Sequence, residues 1–239
     1  MDTACARQAL DAMEEDEGAK IHFLSVLTHE LRTPLANIIG WASEALEVPD
    51  LAPEALRVIL RNAESEARML TNLLEASRLY HGRFVLCPEP ADLWEVTERA
   101  LHAMAGTANA RRVELVRIPP PGALPVFADV KRLHEVICNL LDNAVKFTPG
   151  GGTVTLAARA EKGSARLDIT DTGRGIAPEM LPVLFHPFPT PDQQDVTCGL
   201  RLGLSLVKRI VEMHGGNVAV TSPGVDLGST FSVTLPSSQ

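Results

Sequence analysis

Two long seams of apolar side chains constrain the fold of this chain more than any other feature. The first seam has alternating three- and four-residue spacing, at Ile21, Leu24, Thr28, Leu31, Leu35, Ile38, Ala42 and Ala45. The second repeats that spacing at Leu56, Leu60, Ala63, Ala67, Leu70, Leu74 and Ser77. Such spacing is typical of helices that pack along a narrow stripe, as in coiled coils and bundles. The sequence therefore predicts two amphipathic helices.

The segment between the seams indicates a helical hairpin. Val48-Pro49-Asp50 interrupts the first helix, which we expect from about Ala19 to Glu47. Pro53 suits the first turn of the second helix. Helices joined by so short a connection lie antiparallel. Because one hairpin cannot bury both stripes, we expect two copies of the chain to form a four-helix bundle.

Composition limits the classes of function. The 239 residues have room for one large or two modest domains, and 45% hydrophobic content is ample for a core. A net charge of −8 and 4% aromatic residues argue against nucleic-acid binding. The four cysteines form no CxxC pair and are interpreted as reduced thiols: Cys5, Cys87, Cys138 and Cys198. Without a membrane-length apolar run or a signal peptide, we expect a soluble cytoplasmic chain.

A reactive motif lies on the first helix, within the run SVLTHELRTPLANIIG. His29 follows the seam position Thr28, so it lies on the flank of the seam, where another domain can reach it. Thr33 is one turn further along nearly the same face, and Pro34 predicts a kink. A histidine on a helix flank is usually only a solvated side chain, but here the seam continues in register through the proline.

HELRTPL resembles the phosphoacceptor box of bacterial sensor histidine kinases, in their HisKA-type dimerisation and phosphotransfer domain. The resemblance implies that His29 is the phosphorylated nucleophile and that Glu30 is its acid/base partner. It also implies that Thr33 positions water in the reverse, phosphatase reaction.

After the second helix, the pattern of apolar residues in the sequence changes. His81-Gly82 ends that helix, and the proline-containing stretch 83–91 is predicted to be a hinge. Asp92-Leu93-Trp94-Glu95 has capping-box spacing and begins a new helix. Short β-rich runs then alternate with helices, which predicts an α/β two-layer sandwich. We expect a polar extension or linker at 1–19, a phosphotransfer domain at 20–82 and a second domain at 92–239.

The predicted helix Val130–Phe147 places three polar residues on one face, since Asn139, Asn143 and Lys146 are spaced i, i+4 and i+7. The run NLLDNAVKFTP resembles the N box of the Bergerat/GHKL-type ATP-binding domain of histidine kinases. This implies that Asn143 is a Mg²⁺ ligand and that Lys146 faces the phosphates of ATP. Asn139 stands where DNA gyrase and the heat-shock chaperone carry a catalytic Glu, which favours transfer to histidine over hydrolysis.

The run DTGRG follows a predicted strand and resembles the G1 box of the same domain. The resemblance implies that Asp171 accepts a hydrogen bond from the adenine amino group, above a pocket floor shaped by Gly173 and Gly175. Further residues match other boxes: Phe185 and Phe188 in the F box, Gly199 and Gly203 in the second glycine box, and Thr230 as the adenine-side threonine.

The second glycine box departs from the family pattern G-x-G-x-G, because Arg201 replaces the middle glycine. An arginine there would obstruct the backbone's approach to phosphate, or it would supply a phosphate-facing charge that the short preceding segment lacks. We favour the second interpretation, because the other boxes are intact.

The joint match implies an ATP- and Mg²⁺-dependent kinase that autophosphorylates His29 and passes the phosphoryl group to an aspartate of a response-regulator receiver. Two alternatives remain: a scaffold or phosphatase with a degenerate ATP site, and a plain ATPase of the gyrase class. Only 28 residues precede His29. The expected sensor module therefore belongs to another chain, or this sequence is a piece of a longer protein.

Overall fold

The computed structural model describes residues 27–28, 31–80, 84–186 and 202–238, and these ranges fall into two compact units. One unit contains the helices that precede Arg83. The other is formed by Phe84–Phe185 and Gly203–Gln239. The predicted extension at residues 1–19 lies outside the described residues.

The first unit is a helical hairpin, as predicted. Residues 31–47 form helix α1, which runs through Pro34, and a single turn of 3₁₀ helix, Pro49–Leu51, follows. Helix α2 spans Ala52–Tyr80. The Asn37 side-chain amide donates to Asn62 Oδ1 over 3.5 Å, so the two helices lie side by side. Much of the predicted seam faces solvent, since Leu60 and Leu74 are each 61% exposed.

The second unit is the predicted α/β two-layer sandwich. Its elements are β1 (Glu89–Asp92), α3 (Leu93–Ala110), β2 (Glu114–Ile118), β3 (Pro125–Ala128), α4 (Val130–Phe147), β4 (Thr153–Glu161), β5 (Ser164–Asp171), a 3₁₀ helix (Pro178–Val183), α5 (Leu202–Met213), β6 (Asn217–Thr221) and β7 (Ser229–Pro236). The main sheet has the order β2-β4-β5-β7-β6. Strands β2 and β4 are parallel, and the other neighbours are antiparallel.

The core lies between one face of this sheet and the helices. Alternate residues of β4 and β5 are buried, because successive side chains of a strand point to opposite faces. Helix α4 contributes a full stripe to the same core, consisting of Leu133, Val136, Ile137, Leu140, Leu141, Ala144 and Val145. Among the described residues, no helix combines the length and hydropathy needed to span a bilayer.

Two short strands add a feature that the sequence analysis did not predict. Strand β1 overlaps the end of the predicted hinge and pairs antiparallel with β3, with Asp92 opposite Pro125. The Asp92 side chain caps α3 by accepting from the backbone N–H of Trp94 at 2.7 Å. Its other oxygen accepts from the Leu124 N–H at 2.8 Å, so this carboxylate joins the start of α3 to the approach to β3.

Candidate nucleotide-binding site

Helix α4 presents a polar face beside its buried stripe. Asn139 and Asn143 are half-buried, and Lys146 is exposed, as their spacing predicts. The preceding residue, Cys138, has its thiol pKa raised to about 11 by burial and by the charges of Asp142 and Glu135. This thiol therefore stays protonated and unreactive at neutral pH, so the two carboxamides and Lys146 remain as the polar groups that a ligand of this face could contact.

The first turn of α5 passes directly beside that face. A Cβ atom built on Gly203 would lie 3.4 Å from Asn139 Oδ1, so the two helices approach each other at this glycine. The N–H groups at the start of a helix have no partner within the helix and attract anions. A carboxamide and a helix N-terminus therefore meet at one place, where a phosphate chain could bind.

Hydrogen bonds connect the residue before the start of α4 to the residue after the end of α5. The Asp129 N–H donates to His214 Nε2 at 2.9 Å, and His214 Nδ1 lies 2.8 Å from the Ile210 carbonyl oxygen. The Asp129 side chain accepts from the N–H groups of Cys87 and Arg132. Partial burial alone would raise the pKa of Asp129, but these hydrogen bonds and the nearby positive charge hold it below its ordinary value.

Asp171 ends β5 as a buried carboxylate, only 6% exposed. Its Oδ1 accepts from the Gly173 N–H at 2.8 Å, and its Oδ2 accepts from the Ser229 hydroxyl at 2.5 Å. Each carboxylate oxygen can accept more than one hydrogen bond. The side chain is therefore fixed by the protein while each oxygen retains the capacity to accept from a ligand.

The turn after Asp171 packs against the end of α4. A Cβ on Gly173 would lie 2.4 Å from the Phe147 carbonyl oxygen, a distance that no side chain could tolerate. The Arg174 N–H donates to that same oxygen over 3.2 Å. Gly175 has φ +63°, a left-handed conformation that favours glycine. These contacts explain why glycines stand at both predicted G1 positions and connect the G1 turn to the N box.

Two cations lie over the ring of Phe147, the residue that ends α4. The Arg174 guanidinium carbon is 4.1 Å from the ring centroid, and Lys146 Nζ is 5.2 Å from it. The structure thus places Lys146 against an aromatic ring, and its role at the phosphates stays a prediction. Arg174 provides a second positive charge at this end of α4, one that the sequence analysis did not single out.

The residue directly opposite Asp171 across the strands is Ser229, the neighbour of Thr230. Thr230 pairs with Thr170 across the strands, and their hydroxyl oxygens are 3.0 Å apart. The Ser229 hydroxyl donates to Asp171, a contact that the sequence analysis did not predict. The period-2 pattern contained this signal, because Ser229 shares a face with the buried residues Phe231 and Val233.

Thr230 lines a cavity of about 340 Å³ together with Asp171, and its role on the adenine side stays a prediction. This cavity is bordered by Thr170, Asp171, Thr221, Ser222, Pro223, Leu227, Ser229 and Thr230. Phe185 of the predicted F box packs edge-on against Phe231 of β7, with ring centroids 6.3 Å apart.

Thr33 is an exposed residue of α1 in the first unit. The remaining predicted site residues lie outside the described residues: His29, Glu30, Phe188, Gly199 and Arg201.

Two family descriptions match the chain. Residues 128–239 match the histidine kinase-, DNA gyrase B- and HSP90-like ATPases. Residues 19–82 match the His Kinase A phospho-acceptor domain. Together they cover most of the chain and both of its units.

Individual proteins give the same picture. The chain is 33% identical to histidine protein kinase DivJ of Caulobacter vibrioides over 95% of its own length, but it spans only 40% of that relative. The solved Acinetobacter baumannii histidine kinase AdeS has a TM-score of 0.69 at 24% identity, covering 88% of this chain and 98% of that one. The solved structure of full-length ShkA in complex with AMPPNP has a TM-score of 0.65 at 28% identity. The match covers 89% of this chain and 45% of that one.

Proposed function

Because the chain belongs to the two-component sensor histidine kinases, we propose that it transfers the γ-phosphoryl group of ATP to His29. The observation that carries the proposal is the arrangement around Asp171. A buried carboxylate with accepting capacity to spare lies on a turn that packs directly against the helix of Asn139 and Asn143. That arrangement suits a nucleotide whose base and phosphates are bound at the two ends of one site.

The base end of the site is Asp171, which accepts a hydrogen bond from the adenine amino group. Ser229 and the Gly173 N–H hold the carboxylate in place before the ligand arrives. A preorganised acceptor does not need to be ordered on binding, so less binding free energy is lost. Guanine presents an oxygen at the corresponding position of its ring, so this acceptor favours ATP over GTP.

The phosphate end lies between α4 and the first turn of α5. Residues there fit Mg²⁺, because this ion takes oxygen ligands and usually keeps one or two protein ligands beside phosphates and waters. Asn143 would supply the protein oxygen, with Asn139 next to Gly203 facing the phosphate chain. When bound, Mg²⁺ neutralises part of the charge of the triphosphate. The backbone N–H groups at the start of α5 add to that neutralisation.

At the other unit, a ring nitrogen of His29 attacks the γ-phosphorus, and the bond from that phosphorus to the β-bridging oxygen breaks to release ADP. Glu30 acts as the acid/base partner that increases the nucleophilicity of the imidazole. The phosphoryl group then passes to an aspartate carboxylate of a response regulator. Thr33 positions water in the phosphatase reaction, which removes the phosphoryl group from the response regulator. The exposed leucines of α1 and α2 support a homodimer built from two hairpins.

The test is labelling with γ-³²P-ATP and Mg²⁺, followed by treatment of the product with acid or alkali. The wild-type chain should carry a label that acid removes and alkali preserves, because the phosphorus–nitrogen bond is acid-labile. The His29→Gln variant should carry no label and should still bind ATP. The control is His102→Gln, which changes an exposed histidine of α3. Undiminished label on His29→Gln would overturn the assignment.

A signalling scaffold or phosphatase is the second candidate function, and it would be favoured if Arg201 obstructed phosphate binding at the second glycine box. We hold that Arg201 supplies a positive charge for the phosphates, so Arg201→Gly should weaken ATP binding or slow autophosphorylation. A clear gain of kinase activity in Arg201→Gly would reverse this interpretation. The chain would then be a partly disabled kinase that acts chiefly on the phosphorylated response regulator.

A further inference from the structure

The turn that follows Asp171 is supported by a second loop, Ser222–Gly228, which connects β6 to β7. The Gly228 N–H donates to the Gly173 carbonyl at 3.0 Å, and the Asp226 N–H donates to the Arg174 carbonyl at 2.6 Å. A Cβ on Gly175 would lie 1.9 Å from the Gly224 carbonyl oxygen, so the two backbones are in direct contact. Any displacement of the loop is therefore transmitted to the turn.

The hydroxyl of Ser222 lies at the centre of this contact. Its oxygen accepts from the Ile176 N–H at 3.0 Å, which anchors the end of the turn, and from the Gly224 N–H at 3.3 Å. The hydroxyl hydrogen can be donated to the Gly228 carbonyl at 2.7 Å or to the more distant Gly224 carbonyl at 3.2 Å. One side-chain atom thus bonds both to the turn and to two points of the loop that supports it.

Removing this hydroxyl would leave polar backbone groups without partners. Gly228 is buried and Ile176 is half-buried, so water cannot fully replace the lost hydrogen bonds. The turn could then recover partners only by moving. Because the Gly173 N–H holds Asp171 Oδ1, that movement would misplace the carboxylate. Asn143 and the start of α5 belong to other elements and would keep their places.

We infer that Ser222 is a positioning residue for adenine recognition, which fixes the Gly173–Ile176 turn so that Asp171 meets the base. The inference rests on the proposed function, since it presupposes that ATP binds here. It assigns to Ser222 a specific effect on the base end of the site. The phosphate end, and therefore the transfer step at saturating ATP, should be unaffected.

The test compares Ser222→Ala, Ser222→Thr and Val225→Ala in the full chain. Val225 is the control within the same loop, because its side chain is 62% exposed and does not line the cavity beside Asp171. Dissociation constants of ATP and GTP are measured by displacement of a fluorescent nucleotide, and autophosphorylation is followed over a range of ATP concentrations.

We expect Ser222→Ala to raise the ATP dissociation constant and KM at least fivefold, with kcat within twofold of wild type. Because only the base contact is lost, the preference for ATP over GTP should fall by a similar factor. Ser222→Thr keeps the hydroxyl and should restore both values to within twofold, and Val225→Ala should match wild type. Loss of affinity for ATP and GTP by equal factors, or no rescue by threonine, would overturn the inference.

Hydrogen exchange separates this inference from the proposed function. In Ser222→Ala the amides of residues 173–176 should exchange faster, while those of β4 remain protected. If wild type binds no ATP, the proposed function fails, and this inference fails with it. If wild type binds ATP but Ser222→Ala changes neither affinity nor exchange in the turn, only the inference is overturned.

Discussion

The two units of this chain treat their apolar side chains in opposite ways. In the nucleotide unit, the large side chains of α4 and the sheet are enclosed, and Leu140 and Ile169 are 0% exposed. In the hairpin, leucines at regular helical spacing stay open to solvent, and Leu56 is 64% exposed. The difference indicates that the nucleotide unit carries a complete core of its own, whereas the hairpin requires a partner surface to bury its stripe.

A core substitution in the nucleotide unit should have the largest effect. Leu140→Ala removes a fully buried side chain, so the free energy of unfolding of this unit should fall by about 2–5 kcal/mol. The chain has two tryptophans, Trp41 in α1 and Trp94 in α3. In a Trp41→Phe background, fluorescence in denaturant reports the nucleotide unit alone. In a Trp94→Phe background, Trp41 reports the unfolding of the hairpin. If Leu140→Ala shifted this transition by the same amount, the two units would unfold together, which would contradict the comparison between them.

A seam substitution should act on association. Leu60→Ala removes one exposed leucine from each hairpin, and so two from a symmetric dimer. At about 1.5–3 kcal/mol for each buried leucine, the dimer dissociation constant should rise at least tenfold. Sedimentation measures this constant, and Arg61→Ala is the control at a neighbouring exposed position. An unchanged dissociation constant would mean that the stripe packs against something other than a second hairpin.

A third prediction concerns the outer face of the sheet. Asp168 accepts from Arg166 Nε at 2.8 Å and from the Ser232 hydroxyl at 2.5 Å, and it also pairs with Arg159. Burial alone would raise the pKa of Asp168, but these hydrogen bonds hold it below 3.8. The ionised form therefore stabilises the fold above that pH, and the contribution is lost as the pH falls through the lowered pKa.

Asp168→Asn should accordingly destabilise the nucleotide unit by about 1 kcal/mol at pH 7. The gap between wild type and variant should be constant above about pH 5 and should close in more acidic solution. Glu161→Gln is the control, because Glu161 makes more exposed ion pairs. A gap that persists under acid conditions would show that the carboxylate charge is not the stabilising feature.

The sequence predicted those parts of the nucleotide unit whose signal is local. The apolar stripe of α4 has a strong helical period, and the predicted bounds Val130–Phe147 agree with the structure. Strands β1 and β3 were missed, because each has only four residues and polar and apolar residues do not alternate in the sequence of either one. They are stabilised by pairing with each other, and that pairing joins segments more than thirty residues apart.

In the candidate site too, the residues with a local sequence signal were predicted, and the contacts between distant segments were not. Asp171 and its glycines follow one another in sequence, so a motif could identify them. The contact of Ser229 with Asp171 was not predicted, because it depends on which face of β7 is buried. The support of the turn by Ser222 depends on a contact between residues 46 positions apart, which no local pattern contains.

The place of β7 within the sheet has a consequence for synthesis of the protein. Although β7 follows every other strand in sequence, it lies between β5 and β6, not at an edge. While the ribosome is still making residues 229–236, β5 presents an open edge that can pair with other chains. Sheets that depend on such distant pairing fold slowly and are exposed to aggregation meanwhile. Because Ser229 begins β7 and the loop that supports the G1 turn directly precedes it, a nascent chain completes its ATP site only as the sheet closes.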